Sequence, residues 1–285
     1  MSNLYSRLSK EKKGALLMIL TAFLWSTGGL FIKLIPVNAL TILFYRSTYA
    51  AIVFVLLFQK KIYRVNKISI FASIVYAALL ISFVSATKLT TAANAIFLQY
   101  TGAIYILLLE PIFFKTKLKR LDVTTVIVCM LGMLLFFIGD MDLSNLRGIL
   151  IACASGLLLA FFFLAQKMNT QTYHASAIFW GNIIVLFISF NSFIQSPVLT
   201  FSQHALLAFL GFIQIGLAYA IYTFAISKIS AFEVSILGMI EPLLNPIWVA
   251  IGYGEIPTLS SIFGGIIIIF MLILRMFLIE KMKPE

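Results

Sequence analysis

Long apolar runs alternate with short, mostly basic connections from one end of this chain to the other. A membrane-spanning helix needs about 20 mostly apolar residues, and ten stretches reach that length: 14–33, 38–58, 69–87, 92–113, 121–139, 147–167, 175–195, 205–226, 231–253 and 258–279. The connections are too short for a water-soluble domain, so the pattern predicts an all-α integral membrane protein with ten transmembrane helices. The first run follows Arg7, Lys10, Lys12 and Lys13, as the h-region of a signal peptide would. It is longer than such a region, and Trp25-Ser26-Thr27-Gly28-Gly29 offers no small-residue cleavage site, so an uncleaved first span is expected.

Composition agrees. Of 285 residues 62% are hydrophobic and 11% charged, against about 25% charged in soluble domains. The net charge of +11 does not indicate nucleic acid, because it is concentrated in connections. Lys60, Lys61, Arg64 and Lys67 occupy the second connection, and Lys115, Lys117, Lys119 and Arg120 the fourth. Arg275, Lys281 and Lys283 lie at the C-terminal end, whereas the odd-numbered connections hold Lys33, Lys88 and Arg147. Basic loops stay on the cytoplasmic side, so both termini are expected in the cytoplasm and the chain in the cell inner (cytoplasmic) membrane. Cys129 and Cys153 fall in apolar runs and read as packing residues. His174 and His204 fall in polar connections, with no metal-ligand spacing and no phosphate loop, so no cofactor or metal is expected.

The two halves of the chain, 1–140 and 141–285, resemble each other. Gly14…Lys33 aligns with Gly148…Lys167 without a gap, and Ser85-Ala86-Thr87-Lys88-Leu89-Thr90 matches Ala225-Ile226-Ser227-Lys228-Ile229-Ser230. Five spans per half is odd, so the second half would enter the membrane from the opposite face. Such inverted repeats characterise alternating-access carriers, which bind substrate near the midplane.

Glu241-Pro242 in the ninth run, Gly254-Glu255 after it and Gly264-Gly265 in the last run resemble the EamA-type drug/metabolite transporters. Phe23-Leu24-Trp25-Ser26 and Phe44-Tyr45-Arg46 fit the same pattern. The resemblance covers nearly the whole chain and implies a secondary transporter of small metabolites, often an exporter, in two five-helix repeats. Lys115-Thr116-Lys117 departs from it, standing where the first half would carry Gly-Glu.

Within the apolar runs, Glu241 is the conspicuous charge, and an intramembrane carboxylate marks a substrate, ion or proton pathway by default. Glu241, Asn245 and Trp248 recur at helical spacing and share one face. An acid, an amide and an indole there suit a polar or cationic solute, with Trp248 available for cation–π attraction. Because a carboxyl group can exchange a proton, Glu241 is also the proton-coupling candidate. The bland role is bonding to backbone amides freed by Pro242 and Pro246. Arg46, with Tyr49 close by, is the second buried charge; it either snorkels and packs or joins Glu241 in recognising a zwitterion. Thr101 and Tyr105 in the fourth run align with Glu241 and Asn245. Gln214 and Tyr222 form a stripe in the eighth run, and Trp25 and Trp180 stand in the first and seventh. Each aromatic alone is as consistent with packing, but together they are the best supply of pocket lining. Glu110 and Glu233 read as solvated or paired with loop lysines.

The expected function is transport of a small polar metabolite, such as an amino acid or a related zwitterion or cation, by alternating access, with proton-coupled export as one form. Its partners are a small-molecule substrate and the lipid bilayer, as a monomer or homodimer, with no nucleic acid. A passive channel is the alternative. An intramembrane enzyme is a poorer match, because no nucleophile stands beside a base and the histidines lie outside the apolar runs.

Overall fold

Residues 8–140, 145–253 and 259–281 are described in a computed structural model, in which every regular element is a helix. The first run folds as α1 (Lys10–Ser26) and α2 (Gly28–Leu34), the second as α3 (Ala39–Phe58) leading into a 3-10 turn (Gln59–Tyr63), and the third as α4 (Lys67–Leu89). The fourth run is divided between α5 (Ala92–Tyr100) and α6 (Gly102–Phe114), and α7 (Arg120–Asp140) follows. The second half contributes α8 (Leu146–Met168), α9 (Gln171–Ile194), α10 (Phe201–Phe209), a π-helical stretch (Leu210–Leu217) and α11 (Ala218–Ile226). It ends with α12 (Ala231–Gly238), α13 (Ile240–Tyr253) and α14 (Leu259–Lys281). The Gly254-Glu255 motif lies outside the described residues.

Among the described residues, eight stretches are long and apolar enough to cross a membrane: Lys10–Leu34, Ala39–Tyr63, Lys67–Leu89, Asn94–Phe114, Leu146–Met168, Gln171–Ile194, Phe201–Ile226 and Ala231–Gly252. α7 and α14 occupy the predicted fifth and tenth positions with 21 and 23 residues. Leu56, Ile112, Phe187 and Phe270 are exposed on the outside of the bundle, an arrangement that is stable where lipid replaces water. The protein is a multi-pass, all-helical membrane protein.

Polar connections place the helix starts. Asn38 accepts from the Thr41 N–H and Asn145 from the Gly148 N–H, while Asn66 with Ser69 and Ser230 with Glu233 form reciprocal capping boxes. An unsatisfied amide in hydrocarbon costs several kcal/mol, so a cap fixes where a span can begin. α4 lies along α8, and α1 along α11. α9 packs on α3 and α4, α3 packs on the π stretch, and α7 pairs with α14. α5 and α6 lie on α8, as α12 and α13 lie on α1.

Four runs that read as continuous spans are interrupted. The helix breaks at Thr27, at Thr101 and at Met239, and it widens into the π stretch. Pro242 explains the third break, since it has no N–H to give the carbonyl of Gly238 four residues back. The first break takes the carbonyls of Trp25 and Ser26 out of the regular helical ladder; the Thr27 N–H reaches Trp25 O, and side chains from the other half bond to both carbonyls. Gln214 Nε2 donates to Trp25 O at 3.1 Å and Asn245 Nδ2 to Ser26 O at 3.0 Å. Gly28 and Gly29 make room for these amides: a Cβ at Gly28 would stand 2.6 Å from Gln214 Nε2, and one at Gly29 would collide with Asn245.

Gly29→Ala should therefore lower thermal stability by an amount on the order of 1–3 kcal/mol, as overpacking does. The double variant Gly29→Ala/Asn245→Ala should lose less than the two single losses combined. Thermal unfolding of the purified protein checks both; strictly additive losses would remove the contact from the account.

Candidate functional site

The four interruptions converge. Trp25 beside the first, Gln99 and Tyr100 beside the second, Gln214 and Ile215 in the π stretch and Glu241 beside the third all line one central cavity. Arg46 from α3, Leu79, Leu80 and Phe83 from α4, Leu159 from α8 and Tyr219 from α11 complete its wall. The space enclosed is about 30 Å³, room for about two waters, so admitting a metabolite requires these helices to move apart.

Arg46 is 2% exposed and donates through Nη2 to Gln214 Oε1 at 2.7 Å. Its Nε and Nη1 are buried without a hydrogen-bond partner. The same holds for Trp25 Nε1 and for Gln99 Oε1. Glu241, 5% exposed, accepts through Oε2 from the Tyr100 hydroxyl at 2.7 Å. Arg46 and Glu241 line the same cavity without forming a direct ion pair. The site thus combines a guanidinium with spare donors and a carboxyl group. A desolvated guanidinium without a direct ion-pair partner is costly, and an anionic group of a ligand is the natural partner for its spare donors.

Aromatic rings stiffen this wall. Trp25 packs against Tyr219, with ring centroids 4.7 Å apart, and Tyr219 against Tyr76 at 4.9 Å. Behind them, Tyr222 stacks on Phe162 and Phe163.

Of the residues singled out from the sequence, Trp25, Arg46, Gln214 and Glu241 meet at the cavity. Asn245 and Trp248 share the face of Glu241 but turn to Ser26: Trp248 Nε1 donates to Ser26 Oγ at 2.8 Å, beside the Asn245 bond to the same residue's carbonyl. Tyr222 lies one layer behind Trp25, at 5.8 Å between rings. Thr101 bonds back to Leu98 O at 2.6 Å, and its neighbour Tyr100 is the residue that reaches Glu241. Tyr49 packs on Phe212, and Tyr105 is exposed on the outside of the bundle. Trp180, 37% exposed, donates to Ile62 O at 3.1 Å and so holds the 3-10 turn.

Tyr100, Gln99 and Tyr219 escaped the sequence reading. A stripe drawn through an unbroken fourth span points to Thr101 and Tyr105, and the break at Thr101 shifts the phase. Two further expectations are corrected. His174 is not in a loop but buried near the start of α9, its ring nitrogens facing Thr223 O and Asn169 O. Glu110 is not solvated: it is buried and bonded to backbone N–H groups of α12.

Comparison with known proteins places this geometry. The model of the EamA-like transporter family matches residues 12–138 and again residues 146–277. An uncharacterized transporter of Bacillus subtilis (strain 168), YxxF, is 25% identical over 185 residues, which cover 63% of this chain. The chain spans 60% of the length of that curated relative. A solved structure described only as the crystal structure of a protein superposes with a TM-score of 0.80 at 15% identity, covering 96% of this chain and all of that one. At that identity the likeness concerns the fold alone.

A thermal-shift screen against zwitterionic metabolites should separate the cavity from its surroundings. Stabilisation by a ligand grows with its concentration relative to its dissociation constant. Arg46→Ala should abolish the ligand-dependent shift and Glu241→Gln should reduce it, while Tyr105→Phe and Tyr49→Phe should retain it. A shift unchanged by both charge changes would move the binding site elsewhere.

Proposed function

This chain belongs to the EamA-like transporter family, and we propose that it is a secondary carrier that moves a small zwitterion, such as an amino acid, by alternating access through the central cavity. Family membership makes it a membrane transporter rather than an enzyme. The observation that carries the zwitterion reading is the buried Arg46 guanidinium, with Nε and Nη1 unpartnered, in the same cavity as Glu241. The ligand's anionic group takes the spare donors of Arg46 and Trp25. Its cationic group lies toward Glu241, with the faces of Trp25 and Tyr219 adding cation–π attraction. Glu241 is also the group that takes up a proton when the cavity holds no cation. The small volume of the cavity favours a carrier over an open pore.

In this reading the fold is ten spans in two inverted five-helix repeats, 1–140 and 141–285. Support comes from two separate matches to the family model and from packing that repeats when the halves are exchanged. α4 on α8 corresponds to α11 on α1, and α9 on α4 to the π stretch on α3. Gly14 packs on Lys228 and Ile229, and its counterpart Gly148 packs on Leu89 and Thr90. Lys33 donates to Thr90 O at 2.7 Å, and Lys167 to Ile229 O at 2.7 Å. The basic end of the bundle, with Lys60, Lys61, Lys115 and Lys117, faces the cytoplasm and holds both termini, following the positive-inside rule. The membrane is the cytoplasmic one.

Flux in proteoliposomes tests this reading. The wild type should show saturable uptake that responds to an imposed pH gradient. Arg46→Ala should lower kcat/KM at least tenfold, about 1.4 kcal/mol, with Arg46→Lys failing to restore it because an ammonium presents its donors from a single point and does not reproduce the planar fork that spans Gln214 and a ligand anion. Glu241→Gln should make flux insensitive to the pH gradient. Non-saturating flux would indicate a channel, and wild-type pH dependence in Glu241→Gln would remove the proton-carrying role.

A further inference from the structure

Glu110 is a buried carboxylate to which the central site gives no role. It stands on α6, 8% exposed, close to Lys115 at the basic end of the bundle. Its two oxygens are used separately: Oε1 accepts from the Ala231 N–H at 3.1 Å, and Oε2 from the Phe232 N–H at 2.7 Å. These are the first two amides of α12, donors that a helix start leaves without internal partners. The flanking amides are satisfied within the second half, Ser230 N–H by the Glu233 carboxylate at 3.2 Å and Glu233 N–H by Ser230 Oγ at 3.0 Å. A carboxylate of the first half therefore completes the cap of a helix in the second. Charge-assisted bonds at the positive end of a helix are among the stronger polar contacts available there. α12 leads through the break at Met239 directly to Glu241.

Other links between the halves gather at this end. Arg275 Nη2 pairs with Asp122 Oδ1 at 3.1 Å, joining α14 to α7, and the same guanidinium lies 5.1 Å from the centroid of the Phe232 ring. Asn66 Nδ2 donates to Asn169 Oδ1 at 2.9 Å. At the opposite end, Lys33 and Lys88 bond to Thr90 O and Ile35 O within their own half, and the halves are joined by a neutral bond from Thr41 Oγ1 to Ser192 O at 3.1 Å. Charged fastenings between the halves are thus present at the basic end.

We propose that Glu110 is the release point of a gate at the basic end: its carboxylate clamps α6 to the start of α12 while the cavity is closed to that side, and lets go when the cavity opens there. On release, water takes over the two amides and the carboxylate, which is possible at a solvent-accessible end and would not be at mid-membrane. Glu110 is a positioning residue and touches no ligand. The purpose of the gate rests on the carrier reading above, but the clamp itself can be tested without measuring flux.

The test is the labelling rate of a buried cysteine beside the clamp. Leu107 lines the same small recess as Glu110 and Phe232, so Leu107→Cys is introduced after Cys129→Ala and Cys153→Ala remove the native thiols. In the purified protein, Glu110→Ala should speed maleimide labelling at position 107 about tenfold, with Glu110→Gln, which keeps one neutral acceptor, in between. A second reporter, Ser189→Cys, buried in α9, should stay as protected as before. Unchanged labelling at 107, or an equal rise at 189 that signals general loosening, would overturn the proposal. Flux is scored separately. A wild type that carries no solute while position 107 responds as expected defeats the carrier reading and leaves the clamp. A wild type that carries solute with no response at 107 defeats the clamp alone.

Discussion

Everything at the centre of this molecule depends on how a broken helix keeps its backbone satisfied where no water is available. The carbonyls of Trp25 and Ser26, out of the regular helical ladder at Thr27, are bonded by amide side chains of Gln214 and Asn245 from the other half of the chain. Lipid cannot supply such donors, so the break can exist only while the two halves are together. The same Gln214 uses its oxygen to hold Arg46, and Asn245 is four residues from Glu241 on one helix face. One constraint therefore fixes the backbone break, the approach allowed by Gly28 and Gly29, and the placement of both charges. The chemistry and the seam between halves are the same structure.

The cavity carries both signs of charge. A guanidinium with two unused nitrogens and a carboxyl group held by one phenol form an incomplete set. Buried polar groups are normally satisfied, and clusters that are not belong at sites where a ligand completes them. The cavity's volume, about 30 Å³, is too small for a metabolite. In the proposed carrier cycle, separation of the halves at one end or the other is the motion that admits a solute, and the Glu110 bonds to α12 are among those it would break.

Much of this was legible in the chain. The apolar runs locate the helices to within a few residues, and Arg46 and Glu241 stand out because charge inside such runs is rare. Gln214 was reached by helical spacing, and Trp25 as an aromatic residue of the first run. The failures have two causes. Stripe reasoning assumes a helix of constant phase, and the fourth run breaks at Thr101, so Tyr100 faces Glu241 while Tyr105 turns outward. Trp180 is committed to a backbone carbonyl of the 3-10 turn, and Glu110 to backbone amides of α12. Partners of that kind have no side-chain signature, so no spacing rule finds them. Asn245 and Trp248 share the predicted face, but the freed carbonyl and the hydroxyl of Ser26 engage both.

The most direct test of the central claim is whether a ligand needs both of its charges. Thermal stabilisation of the wild-type protein can be compared for a free amino acid, its carboxamide and its N-acetyl derivative at equal concentration. The account predicts stabilisation by the free zwitterion and little by either derivative, because one lacks the anion for Arg46 and the other the cation for Glu241. Equal stabilisation by all three would contradict recognition by the two charges and leave the cavity without its assigned ligand.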